Sequence, residues 1–158
     1  ILGRWLRSKS TIVKINKNVF VHGGVSKNFI IKNGVDFNRL NLIMRKHIDF
    51  PKKEMKKMDF YDLYYGQKSL IWYRGYFKRY FEKYKEKLTE KEISKILKLI
   101  NSDHIVVGHC SHNEIIQLYN GKVFGVDSSI KKGKNGEVLF IKKKRFFKGN
   151  LDGKLTKF

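Results

Sequence analysis

Two histidines in this 158-residue chain stand in the same local setting. His22 follows the β-prone run Val19-Phe20-Val21 and precedes Gly23-Gly24; His109 follows Ile105-Val106-Val107 and Gly108. Each is expected to project from the C-terminal end of a strand, the edge of an open α/β sheet at which ligands bind. Imidazole is the commonest side chain for transition metals. Two such histidines at one sheet edge would supply half of a four-ligand site. For either histidine alone the plainer reading is a turn residue with a satisfied hydrogen bond. The matched pair with its glycines favours metal. Arg74, in Trp72-Tyr73-Arg74-Gly75, offers a guanidinium fork for phosphate oxygens. Taken alone, the plainer reading is a stacked or ion-paired surface arginine.

The remaining candidates are weaker. His112 completes His109-x-x-His112, but the motif starts at a strand–loop boundary, so His112 is expected in a loop behind the site. His47 and His104 read as structural. Cys110 is the sole cysteine, which excludes an intrachain disulfide and a multi-cysteine zinc site, and no general base is evident for it. Asp127 ends a strand before two serines. It is expected to cap that turn, with orientation of a histidine as the alternative.

These residues need elements to hold them. Thr11 to Ile15 and Val19 to Val21, joined by Asn16-Lys17-Asn18, predict a hairpin. Ser26 can cap a short helix starting near Lys27. Apolar Phe37, Leu40, Ile43, Met44 and Ile48 predict an amphipathic helix within 35–48, ended by Pro51 and the lysines after it. Residues 52–66 read as a surface connection with some helix, and 77–88 as helical. Thr89 with Glu92 forms a capping-box sequence for a helix burying Ile93, Ile96, Leu97 and Ile100. His104 to Val107 is a short buried strand. Asn120-Gly121 joins two further strands, 115–119 and 123–126. Gly133 to Gly136 reads as a loop, 138–142 as a strand, and Asp152-Gly153 as a turn. Strands, then helices, then strands point to a mixed sheet with helices packed on it, an α/β (α+β) fold.

In this order the segments resemble a known family. Residues 18–26 (NVFVHGGVS) look like the histidine-glycine-glycine segment of calcineurin-like metallophosphoesterases. Residues 105–110 (IVVGHC) resemble their glycine-histidine segment, which commonly has Thr at the place of Cys110. Residues 118–128 resemble the hairpin and strand after it, although Ser129 stands where the family usually has Gly. Residues 72–76 (WYRGY) resemble the Shewanella-like protein phosphatase branch, and residues 3–7 (GRWLR) fit the segment before the first strand.

The resemblance implies the C-terminal half of a four-layer β-sandwich flanked by helices, with residues 1–158 as one partial domain. It implies metal-dependent hydrolysis of phosphomonoesters, of a phosphorylated protein or a small phosphate ester, by a metal-activated water. His22 and His109 would bind the second of two divalent ions (Mn, Fe or Zn), and Arg74 the substrate phosphate. The family's Asp-x-His, Gly-Asp-x-x-Asp-Arg-Gly and Gly-Asn-His-Glu segments do not occur in the chain. The expected partner is therefore the missing N-terminal half. The chain alone is expected to be catalytically incompetent and to expose core-facing apolar surface.

The net charge of +21 opens a second function class, a basic nucleic-acid-binding module with 12 Phe, 8 Tyr and 2 Trp as stacking platforms. Lysine far outnumbers arginine and is scattered, which suits compositional drift better than base readout. A non-catalytic interaction remnant of the phosphatase fold is the third reading. No apolar run is long enough to span a bilayer, no secretory signal is evident, and a reducing, cytoplasmic setting is expected.

Overall fold

A computed structural model describes residues 1–85, 87–133 and 136–158. Helix α1 (Leu2–Arg7) is followed by strands β1 (Ile12–Ile15) and β2 (Asn18–Val21). Then come helices α2 (Lys27–Asn33), α3 (Phe37–Lys46), α4 (Lys52–Met55), α5 (Tyr61–Tyr65), α6 (Phe81–Tyr84) and α7 (Glu90–Leu99). Strands β3 (His104–Val107), β4 (Ile116–Leu118), β5 (Val123–Gly125), β6 (Val138–Lys142), β7 (Arg145–Gly149) and β8 (Leu155–Lys157) complete the chain. The expected mixed architecture is present.

The first sheet has the order β1-β2-β3-β5-β4. Its three central strands run parallel, in the register Val21↔Val107 and Val107↔Gly125, and its two edge strands run antiparallel to them. The C-terminal ends of β2, β3 and β5 therefore meet at one edge. Alternation gives the sheet two faces. Val19, Val21, Ile105, Val107 and Val123 pack against helix residues such as Leu40, Met44, Ile93, Ile96 and Leu97. Val106 and Phe124 turn the other way, onto Phe146 of the β6-β7-β8 sheet, with Phe124 and Phe146 stacked at 4.4 Å.

That second sheet covers the second face only in part. Over β1, Val13 and Ile15 remain 39% and 54% exposed, so apolar sheet surface is open there. Edge strand β1 is instead tied to α3 by the buried Asn41. Its amide oxygen accepts from the Thr11 and Ile12 N–H groups (2.9 and 3.1 Å), and its nitrogen donates to the Ile12 carbonyl (2.7 Å).

Local signals explain most elements. The Ser26 hydroxyl accepts from Phe29 N–H at the start of α2, and Thr89 and Glu92 form both halves of a capping box at α7. Four expectations change. Helix α3 ends at Lys46, before Ile48, which is half exposed. Residues 52–66 are not a surface connection: α4 and α5 bury Met55, Leu63 and Tyr64. The helix expected over 77–88 is instead a 3₁₀ turn (Lys78–Tyr80) and α6, separated where Tyr80 leaves helical geometry (φ −113°, ψ 2°), and α6 stops at Tyr84 because Lys85 adopts a left-handed conformation (φ 49°); Glu86 lies outside the described residues. The Asn120-Gly121 hairpin has a wider turn than two residues, with positive φ at Tyr119, Asn120 and Gly121. Lys134 and Asn135, in the loop expected at 133–136, lie outside the described residues. Among the described residues no helix is long and apolar enough to cross a membrane.

Candidate functional site

His22 leaves the end of β2, and the chain after it must pass very close to another segment. Gly23 and Gly24 donate their N–H groups to the Leu70 carbonyl at 2.8 and 3.2 Å. A Cβ on Gly23 would lie 2.5 Å from the Ile71 carbonyl oxygen, so only glycine allows the approach. This contact fixes residues 69–75, and Arg74 with them, beside β2. On the other side, Gly108 N–H donates to the His22 carbonyl at 3.0 Å, which places the β3 loop against the β2 loop. His109 itself takes a left-handed conformation (φ 65°), unusual for a non-glycine residue and costly by about 1–2 kcal/mol.

Three of the residues singled out in the sequence converge. His22 Nε2 lies 2.7 Å from His109 Nδ1, and Arg74 Nη2 lies 2.5 Å from His109 Nε2. A guanidinium nitrogen can only donate, so His109 Nε2 accepts. Its proton then sits on Nδ1 and is donated to His22 Nε2. Burial lowers the pKa of both imidazoles. For His109 the neighbouring Arg74 and His22 add to the effect, and its pKa falls to about 4. Both rings are therefore neutral near pH 7, the form that can ligate a metal.

The Arg74 guanidinium also lies over the Tyr80 ring at 5.4 Å, and its Nε is buried without a hydrogen-bond partner among the described residues. Arg79 approaches the same ring at 5.2 Å.

The other candidates lie around this group. The Asp127 carboxylate accepts from the Ser111 hydroxyl (2.8 Å) and the Ser129 N–H (3.1 Å), so it caps the turn, and among the described residues it bonds no histidine ring. Burial pushes its pKa up, but these two donors together with the nearby Lys131 and His112 outweigh burial and hold the carboxyl below its ordinary value. His112 donates its backbone N–H to the Asp127 carbonyl and stacks on Phe77, away from the histidine pair. Ser129, at the expected glycine position, keeps a left-handed conformation (φ 64°) and donates its hydroxyl to the His112 carbonyl at 2.8 Å. Cys110 is buried, and burial raises its pKa, so its thiol stays protonated and is no nucleophile. His47 and His104 bond to the carbonyls of Ile43 and Gly121 and pack on Phe60 and Phe146, as structural residues do.

Two neighbours were not visible in the sequence as site residues. Trp72 meets His109 edge-on at 5.6 Å, and Tyr80 lies between the two arginines. Only their closeness to Arg74 in sequence hinted at this. Among the described residues, no three His, Cys, Asp or Glu side chains are grouped to hold a metal ion.

No family model matches the chain, and no curated protein matches it. Solved structures do match. The crystal structure of a cold-active protein-tyrosine phosphatase of a psychrophilic Shewanella species is 39% identical, with a TM-score of 0.88 over 99% of this chain and 45% of that one. A second structure of a cold-active protein tyrosine phosphatase is 40% identical, with a TM-score of 0.88 over 99% of this chain and 44% of that one. The chain therefore spans less than half the length of these phosphatases, and it is similar to them almost throughout its own.

Proposed function

We propose that this chain carries part of the active site of a metal-dependent phosphatase that hydrolyses phosphomonoesters, phosphoproteins among them. The observation that carries this reading is the convergence of His22, Arg74 and His109 from three separate loops at one sheet edge. Likeness to phosphatases supports it, and phosphotyrosine, for which those relatives are named, is one such ester.

The histidine pair suits a metal as half of a ligand set. Two nitrogens each about 2.0–2.1 Å from one ion lie roughly 3 Å apart, close to the 2.7 Å between His22 Nε2 and His109 Nδ1. In this reading the remaining ligands come from the part of the longer phosphatases that the chain does not span, the N-terminal half of a four-layer sandwich. Divalent ions (Mn, Fe or Zn), when bound, supply the Lewis acid that polarises the ester and makes water nucleophilic near neutral pH. Arg74 binds the phosphate. Its fork offers paired, charge-assisted hydrogen bonds to two oxygens and favours the extra negative charge of the transition state. The Gly23–Leu70 contact holds that fork in place, so less orientational freedom is lost when the phosphate binds. Ligation through His109 Nδ1 would need its proton on Nε2, where it would oppose the Arg74 N–H, so a metal held there would leave the Arg74 fork free for the phosphate.

The test is hydrolysis of an aryl phosphate by the intact open reading frame with Mn, beside the same protein carrying His109→Ala. Activity that needs metal and drops by orders of magnitude in the variant is the expected result. Absence of activity in folded protein across metals and pH would overturn the reading and favour a non-catalytic role.

A further inference from the structure

The Arg74 fork is held only lightly by its own side chain. Its Nε is buried without a partner, and among the described residues no carboxylate bonds the guanidinium. Its contacts are the Tyr80 ring at 5.4 Å and His109 Nε2 at 2.5 Å. The direction of a long side chain held in this way depends on its backbone, and one buried residue reaches that backbone from another element. Tyr84, the last residue of α6, donates its hydroxyl to the Trp72 carbonyl at 2.7 Å. Burial raises the pKa of this hydroxyl, while the Arg74 guanidinium and the Arg74 backbone N–H lie near enough to act against burial. The hydroxyl therefore stays protonated, and it faces the peptide units on both sides of Tyr73.

The Tyr84 ring is itself fixed. It meets Tyr73 edge-on at 5.3 Å and 84°, and Tyr73 meets Tyr76 at 5.3 Å and 86°. The Tyr76 hydroxyl accepts from the Val25 N–H at 2.9 Å and donates to the Val25 carbonyl at 2.7 Å, three residues after His22. All three tyrosines are buried. Edge-on aromatic pairs of this kind have a preferred geometry, so the row of rings links Val25, beside the His22 loop, to the Tyr84 hydroxyl.

We infer that Tyr84 is a positioning residue for phosphate binding: its hydroxyl fixes the backbone that carries Arg74, and with it the direction of the Arg74 fork toward the histidine pair. The inference rests on the phosphatase reading above and adds a residue that lies outside the three converging loops. A tilt of the backbone at Trp72 and Arg74 is carried to the far end of the side chain, and a misplacement of about 1 Å can cost as much as 10²-fold in rate.

The test is a double-mutant cycle in the intact open reading frame with Mn. Hydrolysis of an aryl phosphate, and its inhibition by inorganic phosphate, are measured for the wild type, Tyr84→Phe, Arg74→Ala and the double variant. Phe keeps the ring against Tyr73 and removes only the hydroxyl. Tyr84→Phe is expected to lower kcat/KM and to raise the inhibition constant of inorganic phosphate, each about tenfold, at an unchanged half-saturating Mn concentration. In the Arg74→Ala background the same change is expected to cost nothing further, because the hydroxyl acts through Arg74. Tyr64→Phe is the control. Its hydroxyl donates to the Met44 carbonyl at 2.6 Å, between α5 and α3. It should lower the urea midpoint as Tyr84→Phe does and leave phosphate inhibition unchanged. An undiminished effect of Tyr84→Phe in the Arg74→Ala background, or unchanged phosphate inhibition in Tyr84→Phe itself, overturns the inference and leaves the phosphatase reading in place. If the intact protein shows no metal-dependent hydrolysis, or Arg74→Ala behaves as the wild type, the phosphatase reading fails and the inference falls with it.

Discussion

Gly23→Ala should be strongly destabilising, and it tests whether the site is assembled as described. The added Cβ would lie 2.5 Å from the Ile71 oxygen, 2.7 Å from its carbon and 2.9 Å from the Leu70 oxygen. All three are backbone atoms, so no side chain can swing aside. Relief requires the two segments to part, which strains or breaks the hydrogen bonds from Gly23 and Gly24 to Leu70. Overpacking costs about 1–3 kcal/mol and each lost bond about 0.5–1.5 kcal/mol. The stiffer unfolded chain returns about 0.4–1 kcal/mol. The net loss is about 2–3 kcal/mol. With an m-value of about 2 kcal/mol/M in urea, the unfolding midpoint should fall by about 1–1.5 M. Gly108→Ala is the matched control, because its Cβ would sit 3.6 Å from the His22 oxygen, an ordinary contact. It should move the midpoint by no more than a few tenths of a molar. Equal shifts in the two variants would refute the account of how residues 69–75 are held against β2.

Three further outcomes are expected. Because the folded-state pKa of His109 lies near 4, below the ordinary 6.5 of an unfolded imidazole, the unfolded state binds more protons between those values. Stability from this group is therefore complete above about pH 6.5 and lost as pH falls toward 4. After discounting for solvent screening it amounts to about 1 kcal/mol, read as the difference in urea midpoint between the wild type and His109→Gln at pH 4.5 and 7. At Ser129 the left-handed backbone and the hydroxyl bond to His112 oppose each other. Ser129→Ala keeps the strain and loses the bond, so it should be less stable than Ser129→Gly by about 1 kcal/mol in the same assay. The open face over β1 should drive self-association, and Val13→Lys with Ile15→Lys should lower the apparent mass in light scattering; an unchanged mass would show that this face is not the contact.

The parts of the fold that were legible are those set by short-range chemistry. Thr89 and Glu92, three residues apart, cap each other whatever surrounds them, and the apolar run before His109 can be little other than a buried strand. Residues 77–88 failed for the opposite reason. Phe77, Tyr80, Phe81 and Tyr84 carry enough apolar surface for a helix, but Tyr84 is drawn inward to bond the Trp72 carbonyl and Tyr80 is occupied by two arginines. Tertiary contacts override propensity there. Met55, Leu63 and Tyr64 were misplaced on the surface because lysines between them hid their spacing.

The site divides along the same line. His22 and His109 could be paired from sequence because one follows a strand directly and the other one glycine later, and parallel neighbours in the register Val21↔Val107 must bring those ends together. Arg74 could not be placed that way. Its position depends on a glycine touching a carbonyl nearly fifty residues on, a contact that no local pattern encodes. Nor could the electrostatic balance be read from the net charge. Scattered lysines give the chain its +21, yet at this edge burial together with Arg74 keeps His109 neutral, and the Asp127 carboxylate is held by Ser111 and Ser129. The result is a guanidinium beside two uncharged imidazoles. Scattered charge can raise the encounter rate with an anion, but in the proposed reading orienting it falls to Arg74.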